Sequence, residues 1–162
     1  MTDLRHTVER LAATEAIRDL IHSYSHLIDR GDLGAVAALF GDAVYGHCDG
    51  DGNPVGALVD RDAAAVRRAN EGFVRMHGDP PSPRTKHVTT NVRVAVAQDC
   101  TEATATSYVT VLQATVDLPL QPILTGRYFD RFAVRDGGWR FTQRLCCIDH
   151  TGDLTGHARR LL

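Results

Sequence analysis

Long apolar runs are missing from this 162-residue chain. None approaches the ~18 to 20 residues of a membrane-spanning helix. The start, MTDLRHTVER, lacks the apolar core of a signal peptide. A cytoplasmic protein with no membrane partner is therefore expected. A basic excess is missing too, since 18 Lys plus Arg stand against 20 Asp plus Glu, for a net charge of −2. A non-specific nucleic-acid binder needs a strong positive field, and a single-strand platform needs cations interleaved with aromatics. Neither is present, so no nucleic-acid partner is expected. Neither G-x-G-x-x-G nor G-x-x-x-x-G-K-[ST] occurs, which removes the nucleotide-phosphate cradle. The four cysteines, Cys48, Cys100, Cys146 and Cys147, have no C-x-x-C spacing, which excludes a zinc knuckle and a thioredoxin-like motif. They read as free thiols, with Cys146 and Cys147 on opposite faces of one strand and no neighbouring histidine to make either a nucleophile.

What is there is the balance of a folded soluble protein, 43% hydrophobic and 23% charged. A chain of this length can bury about 70% of its unfolded surface, enough for one core. One domain over residues 1–162 is expected, with a core over about 11–149 and a tail over 150–162. Eight histidines are many for this length, and several lie close to carboxylates.

From Asp3 to Asp29 the chain reads as helix. Ile17, Leu20, Ile21, Tyr24, Leu27 and Ile28 recur at helical spacing and form one apolar stripe. Gly31 can end that helix, and Asp32 can cap a second one over Leu33 to Phe40. Val44 to Cys48 reads as a short strand and 49–54 as a turn. A third helix begins near Asp60 or Asp62 and ends before the Pro-rich loop 78–83. The period then changes from 3.6 to 2. Thr90 to Val96 alternates, Thr104 to Thr115 is β-branched, and Ile123 to Val134 and Trp139 to Cys147 flank the hairpin signal Arg135-Asp136-Gly137-Gly138. Helices followed by a meander of long antiparallel strands give the α+β class.

The order of Tyr24, Asp29, Asp32 and Leu39-Phe40, then Thr85-Lys86-His87-Val88-Thr89-Thr90-Asn91, Gly126-Arg127-Tyr128-Phe129-Asp130 and Asp136-Gly137-Gly138-Trp139-Arg140-Phe141 resembles the nuclear-transport-factor-2-like, SnoaL-like superfamily. The combination of Tyr24, Asp29 and His87 is similar to the branch of scytalone dehydratase, bile acid 7α-dehydratase and hexachlorocyclohexane dehydrochlorinase. The resemblance implies a cone-shaped curved antiparallel sheet packed on N-terminal helices, a cystatin-like α+β barrel. It also implies a cofactor-independent lyase or isomerase, dehydratase- or cyclase-like, on an apolar cyclic or polyketide-like small molecule. Asp29 matches the helix-end Asp that orients a strand-borne His. His87 matches that His, which takes a proton from carbon. Val109 stands where scytalone dehydratase has a second His, and Gln113 where the bile acid enzyme has an Asp, so the leaving-group chemistry stays open. A non-catalytic binding or assembly module of the same fold is the alternative.

An Asp-His pair suits proton abstraction because imidazole has a pKa near ~6.5 and a carboxylate stabilises the imidazolium. Tyr24, on the apolar stripe, could donate to a substrate oxygen. Tyr45, Asn91, Tyr108, Gln113, Arg127 and Phe129 are candidates for substrate contacts. Arg127 and Asp130 stand at opposite parity and cannot share a face without a bulge. His47 and Asp49 read as turn decoration. Phe73, Met76, Leu112, Phe129 and Phe132 suit a pocket or a core equally well. The wheel places Asp29 about 180° from the apolar stripe, so it can turn inward only if the helix ends or tightens near Ile28. His22, His26 and Asp29 fall within about 60° of one another, a spacing that can chelate a metal, although a polar helix face is the commoner meaning and the resemblance implies no metal. The long β-branched strands leave a sheet face to cover, and a homo-oligomer, dimer or trimer, is expected.

Overall fold

The computed structural model describes residues 4–159. Asp3 and the last three residues of the tail lie outside the described residues. Helix α1 spans Leu4–Arg30, α2 Leu33–Leu39 and α3 Ala63–Phe73. The strands are β1 Val44–Cys48, β2 Pro54–Asp60, β3 Thr85–Val96, β4 Glu102–Gln113, β5 Gln121–Arg135 and β6 Gly138–Thr151. They form one six-stranded sheet in the order β2-β1-β6-β5-β4-β3. All pairings are antiparallel except β1 with β6. The sheet is curved and stays open, with β2 and β3 as its edges.

Capping fixes the helix ends. Gly31 at φ +78° follows α1, its N–H donates to the Ile28 carbonyl, and the Asp32 N–H donates to that of Leu27. This is the double bond of a Schellman ending, in which only glycine takes the left-handed position without strain. The carboxylates of Asp32 and Asp62 accept from the Ala35 and Ala65 N–H groups, both at 2.9 Å, and start α2 and α3. At the β5–β6 hairpin, Asp136 and Gly137 both have positive φ, the two-residue turn that matches strand twist.

The core lies between α1, α2 and the concave sheet face, where Ile17, Ile21, Phe40, Val66, Phe132 and Phe141 are almost wholly enclosed. Sequence periodicity left β2 unassigned, since almost all of it is exposed on an edge and carries no alternating pattern. The described part of the tail is not loose. After β6 it turns back, Val74 pairs with Ala158, and the Arg159 N–H donates to the Phe73 carbonyl. That return brings His157, Ala158 and Arg159 against the C-terminal end of α3.

Candidate active site

The floor of the candidate site is made where the C-terminal end of α1 lies against the start of β3. Asp29 is fully helical there. One carboxylate oxygen accepts from Thr85 Oγ1 at 2.8 Å and bonds His87 Nδ1 at 2.6 Å; the other accepts from the His87 backbone N–H at 2.9 Å. The His87 and Asp29 side chains are only 7% and 11% exposed. The helix did not need to end early. Ser25, one turn before Asp29, meets Thr89 at 3.1 Å. The buried face of α1 is therefore wider than its apolar stripe and includes a polar flank that β3 satisfies.

Electrostatics keep the Asp29 carboxyl ionised. Burial alone would raise the Asp29 carboxyl, but the bonds from the His87 ring and backbone and from Thr85 outweigh it and hold the group below its ordinary range. An ionised carboxylate can only accept, so the Asp29 bond places a hydrogen on His87 Nδ1, and the neutral form of the ring is the one with Nε2 bare. Nε2 has no hydrogen-bond partner among the described residues, and His87 lines a cavity of about 150 Å³.

Tyr24, Tyr45 and Tyr128 form part of the cavity wall, with Val109, Leu124 and Phe73 among its apolar members. Tyr24 meets His87 edge to face at 5.9 Å between ring centres. Burial pushes the Tyr24 and Tyr45 phenols well above their ordinary range, so both keep their protons and act as donors. Their hydroxyls lie near enough to affect each other's ionisation. Among the described residues no Lys, Arg, Asp or Glu lines this cavity. Behind the tyrosines, Arg144 is fully enclosed and holds Asp130 through two bonds of 2.8 and 2.7 Å. Its guanidinium lies 4.6 Å from the Tyr24 ring centre and 4.3 Å from that of Tyr128. Burial opposes the Arg144 charge, but Asp130 outweighs it and raises the group.

Five of the residues expected to contact substrate do not line the cavity. Tyr108 points away from it and is 54% exposed, because inward residues of β4 are the odd-numbered ones from Ala103 to Gln113. Asn91 takes φ +52° at a break in β3–β4 register between Thr90 and Arg93. That bulge reverses the parity that would have put it on the His87 face. Gln113 faces inward but donates to the Pro83 and Gly156 carbonyls at 2.9 and 3.1 Å, tying the tail to the approach to β3. Arg127 pairs with Asp149 at 2.6 Å and donates to the Gly50 carbonyl at 2.9 Å. Phe129 packs with Cys48, Leu145 and Cys147 in a separate small cluster. Asp130 is on the inner face and Arg127 is not, as their opposite parity on the strand requires. Of the other apolar candidates, Phe73 lines the cavity, Phe132 is core, and Met76 borders a different depression.

Sequence reasoning missed Arg144, His157 and Asn70, and read His47, which lines the cavity, as part of a turn. Arg144 stands on the inward face of β6, beside the inward Asp130 of β5, and an inward Arg on a core strand needs a carboxylate. His157 had no local signal. Among the described residues no group of three or more His, Cys, Asp or Glu is placed to hold a metal ion. His22 and His26 are exposed while Asp29 is turned to His87. A larger concavity of about 940 Å³, lined by mixed charges such as Arg61, Glu102 and Arg131, shares no residue with the Asp29–His87 site.

The model of the SnoaL-like domain matches residues 9–145. The chain belongs to the SnoaL-like domain family. Among solved structures, this SnoaL-like chain is similar to a scytalone dehydratase-like protein of Novosphingobium aromaticivorans, at 26% identity and TM-score 0.68 over 91% of both chains. LinA shares 23% identity at TM-score 0.65, with 93% of this chain and 95% of that one covered. A protein of Novosphingobium aromaticivorans described as NTF2-like with a cystatin-like fold shares 22% identity at TM-score 0.66 over 91% of both. Among curated proteins none matches. The similarity at the lower identities is one of fold, and the SnoaL-like fold with its cavity supports a domain that takes up a small molecule. No helix among the described residues is long and apolar enough to cross a membrane.

Proposed function

We propose that this SnoaL-like domain is a lyase or isomerase that takes a proton from a carbon of an uncharged, largely apolar cyclic molecule. The observation that carries this reading is the 2.6 Å bond between Asp29 and His87 Nδ1 in a ring that lines an apolar cavity. With Nδ1 committed to the carboxylate, Nε2 is the base. As the C–H bond breaks, its electron pair forms the new double bond and the imidazolium is stabilised by Asp29. In a dehydration the C–O bond breaks at the neighbouring carbon, and the proton on His87 returns to the departing hydroxide as water. In an isomerisation it returns to another carbon. Tyr24, protonated and buried, donates to the substrate oxygen on which negative charge grows, and Tyr45 supports it. The absence of charged side chains from the cavity lining favours an uncharged substrate over a carboxylate or phosphate.

The test is a panel of small cyclic ketones and β-hydroxy ketones incubated in D2O with the native protein and with His87→Ala. Deuterium uptake at carbon and loss of water are followed by NMR. A positioned base contributes about 10² to 10⁴ in rate, and His87→Ala should lose that factor. Equal turnover or exchange by both proteins removes His87 as the base.

A further inference from the structure

His157 is the cavity group that the reaction above leaves unused. It comes from the returning tail, is only 6% exposed, and lines the same cavity as His87. Its backbone already does the anchoring, since its N–H donates to the Leu154 carbonyl and its carbonyl accepts from the Arg75 N–H at 2.7 Å. The ring adds one edge-to-face contact with Phe73, at 5.7 Å between centres, which a phenyl group would make as well. Its Nδ1 is buried with no hydrogen-bond partner. That atom is closed off even to water; the other ring nitrogen, Nε2, also has no hydrogen-bond partner among the described residues, and it is the one left to meet a molecule that the cavity takes up.

We propose that His157 is a substrate-binding residue that holds an oxygen substituent of a single-ring, uncharged ketone or alcohol beside His87. Burial, with His87 and His77 near it, pushes the ring down to about 4, so it is neutral at neutral pH. A neutral imidazole offers one N–H and one bare nitrogen, which suits a carbonyl or hydroxyl and gives no charge to pair with a carboxylate. The cavity, about 150 Å³, is of the size in which an engineered apolar cavity of roughly 150 Å³ holds benzene. One six-membered ring is therefore the scale of the ligand. The inference rests on reading this cavity as the substrate site, but it concerns binding and not proton transfer.

The experiment titrates the wild type and His157→Phe with cyclohexanone and with benzene, following the methyl resonances of Val109 and Leu124. The ring ¹⁵N signals of His157 are followed in the wild type. Cyclohexanone should bind His157→Phe about tenfold more weakly, the scale of one neutral hydrogen bond, while benzene changes by less than about twofold. In the wild type the His157 ring signals should move with cyclohexanone and stay with benzene, a readout that holds even if the variant folds poorly. Equal changes for both probes, unmoved His157 signals, or no binding of cyclohexanone in the cavity would overturn the proposal. Both titrations read binding alone and no proton transfer. A failure of His87 as base would thus leave the His157 result standing, and the reverse.

Discussion

Replacing Asp29 by Asn is the change that bears most directly on the site. The side chain keeps its size and loses its charge and one acceptor. In the native protein the carboxylate accepts from Thr85 Oγ1 at 2.8 Å, the His87 N–H at 2.9 Å and His87 Nδ1 at 2.6 Å. An amide has one acceptor oxygen and one NH2, so its nitrogen must confront a donor. Either it takes the place of the oxygen that faces the His87 backbone N–H and loses that bond, or it takes the place of the one that faces both Thr85 and Nδ1, where the Thr85 hydroxyl can turn to accept but the ring is forced to carry its hydrogen on Nε2. At least one charge-assisted bond goes, which is worth about 1.5 to 3 kcal/mol of stability. The catalytic effect is larger. A base whose tautomer is no longer held forfeits much of a contribution of about 10² to 10⁴, or roughly 3 to 5 kcal/mol of barrier. The assay has two arms. Ring ¹⁵N shifts of His87 should show an Nδ1–H form in the native protein at neutral pH and an Nε2–H or mixed form in Asp29→Asn. Deuterium exchange into a reactive cyclic ketone should fall by at least about a hundredfold. If the variant keeps the native tautomer and the native exchange rate, the carboxylate does not orient the base and the reasoning fails.

Three other perturbations follow from the same geometry. The buried His157 ring, close to His87, His77 and Asp29, is pushed down to about 4, against an ordinary value near ~6.5 in the unfolded chain. The unfolded state therefore binds the proton first, and stability is lost as pH falls from about 6.5 towards 4, by roughly 3 kcal/mol. Urea midpoints across that window should fall for the wild type and fall less for His157→Phe; parallel curves would refute the assignment. Arg144→Met leaves the Asp130 carboxylate enclosed without its partner and should cost about 3 to 5 kcal/mol, whereas Asp130→Leu combined with Arg144→Met should recover most of it, as read by chemical denaturation. Tyr108→Ala, on the outward face of β4, should leave cyclohexanone affinity unchanged and stability within about 1 kcal/mol; a tenfold loss of affinity would mean that the cavity has been misplaced.

How far the sequence carries depends on the kind of signal each element gives. The long strands and their hairpin were legible because alternation and an Asp-Gly-Gly turn are local. The α1 ending was legible from Gly31, whose left-handed backbone is observed. Edge strand β2 was not, since a strand exposed along nearly all its length has no buried face to write into its pattern. Asp29 shows the limit of a helical wheel. The wheel treats polar as outward, yet Ser25 and Asp29 face β3 because Thr85, Thr89 and His87 supply polar partners there. Asn91 failed for a different reason: one residue of bulge in β3 moved it off the face that period-2 counting assigned. His157 lies 70 residues from His87, and only the return of the tail onto α3 brings it to the cavity.

The arrangement of charge in the site bears on what chemistry it can do. Three charged groups sit one layer behind the cavity wall, Asp29 behind His87 and the Arg144–Asp130 pair behind Tyr24 and Tyr128. The wall itself presents imidazole, phenol, thiol, carboxamide and aliphatic carbon. A neutral ligand can enter such a cavity without leaving a wall charge stripped of solvent, which is the costly outcome for buried ions. In the proposed reaction a proton moves to His87 and negative charge grows on the substrate. Then the imidazolium at His87 has Asp29 already hydrogen-bonded to it, and negative charge beside Tyr24 has Arg144 already stacked beneath that ring. Neither partner needs to reorient, and both act from enclosed positions where screening by water is weak. A domain that only stored an apolar molecule would gain nothing from a buried carboxylate aimed at one ring nitrogen, and it would carry the desolvation of both charged groups without return. The placement of those charges, more than the shape of the cavity, is what favours proton transfer over passive binding.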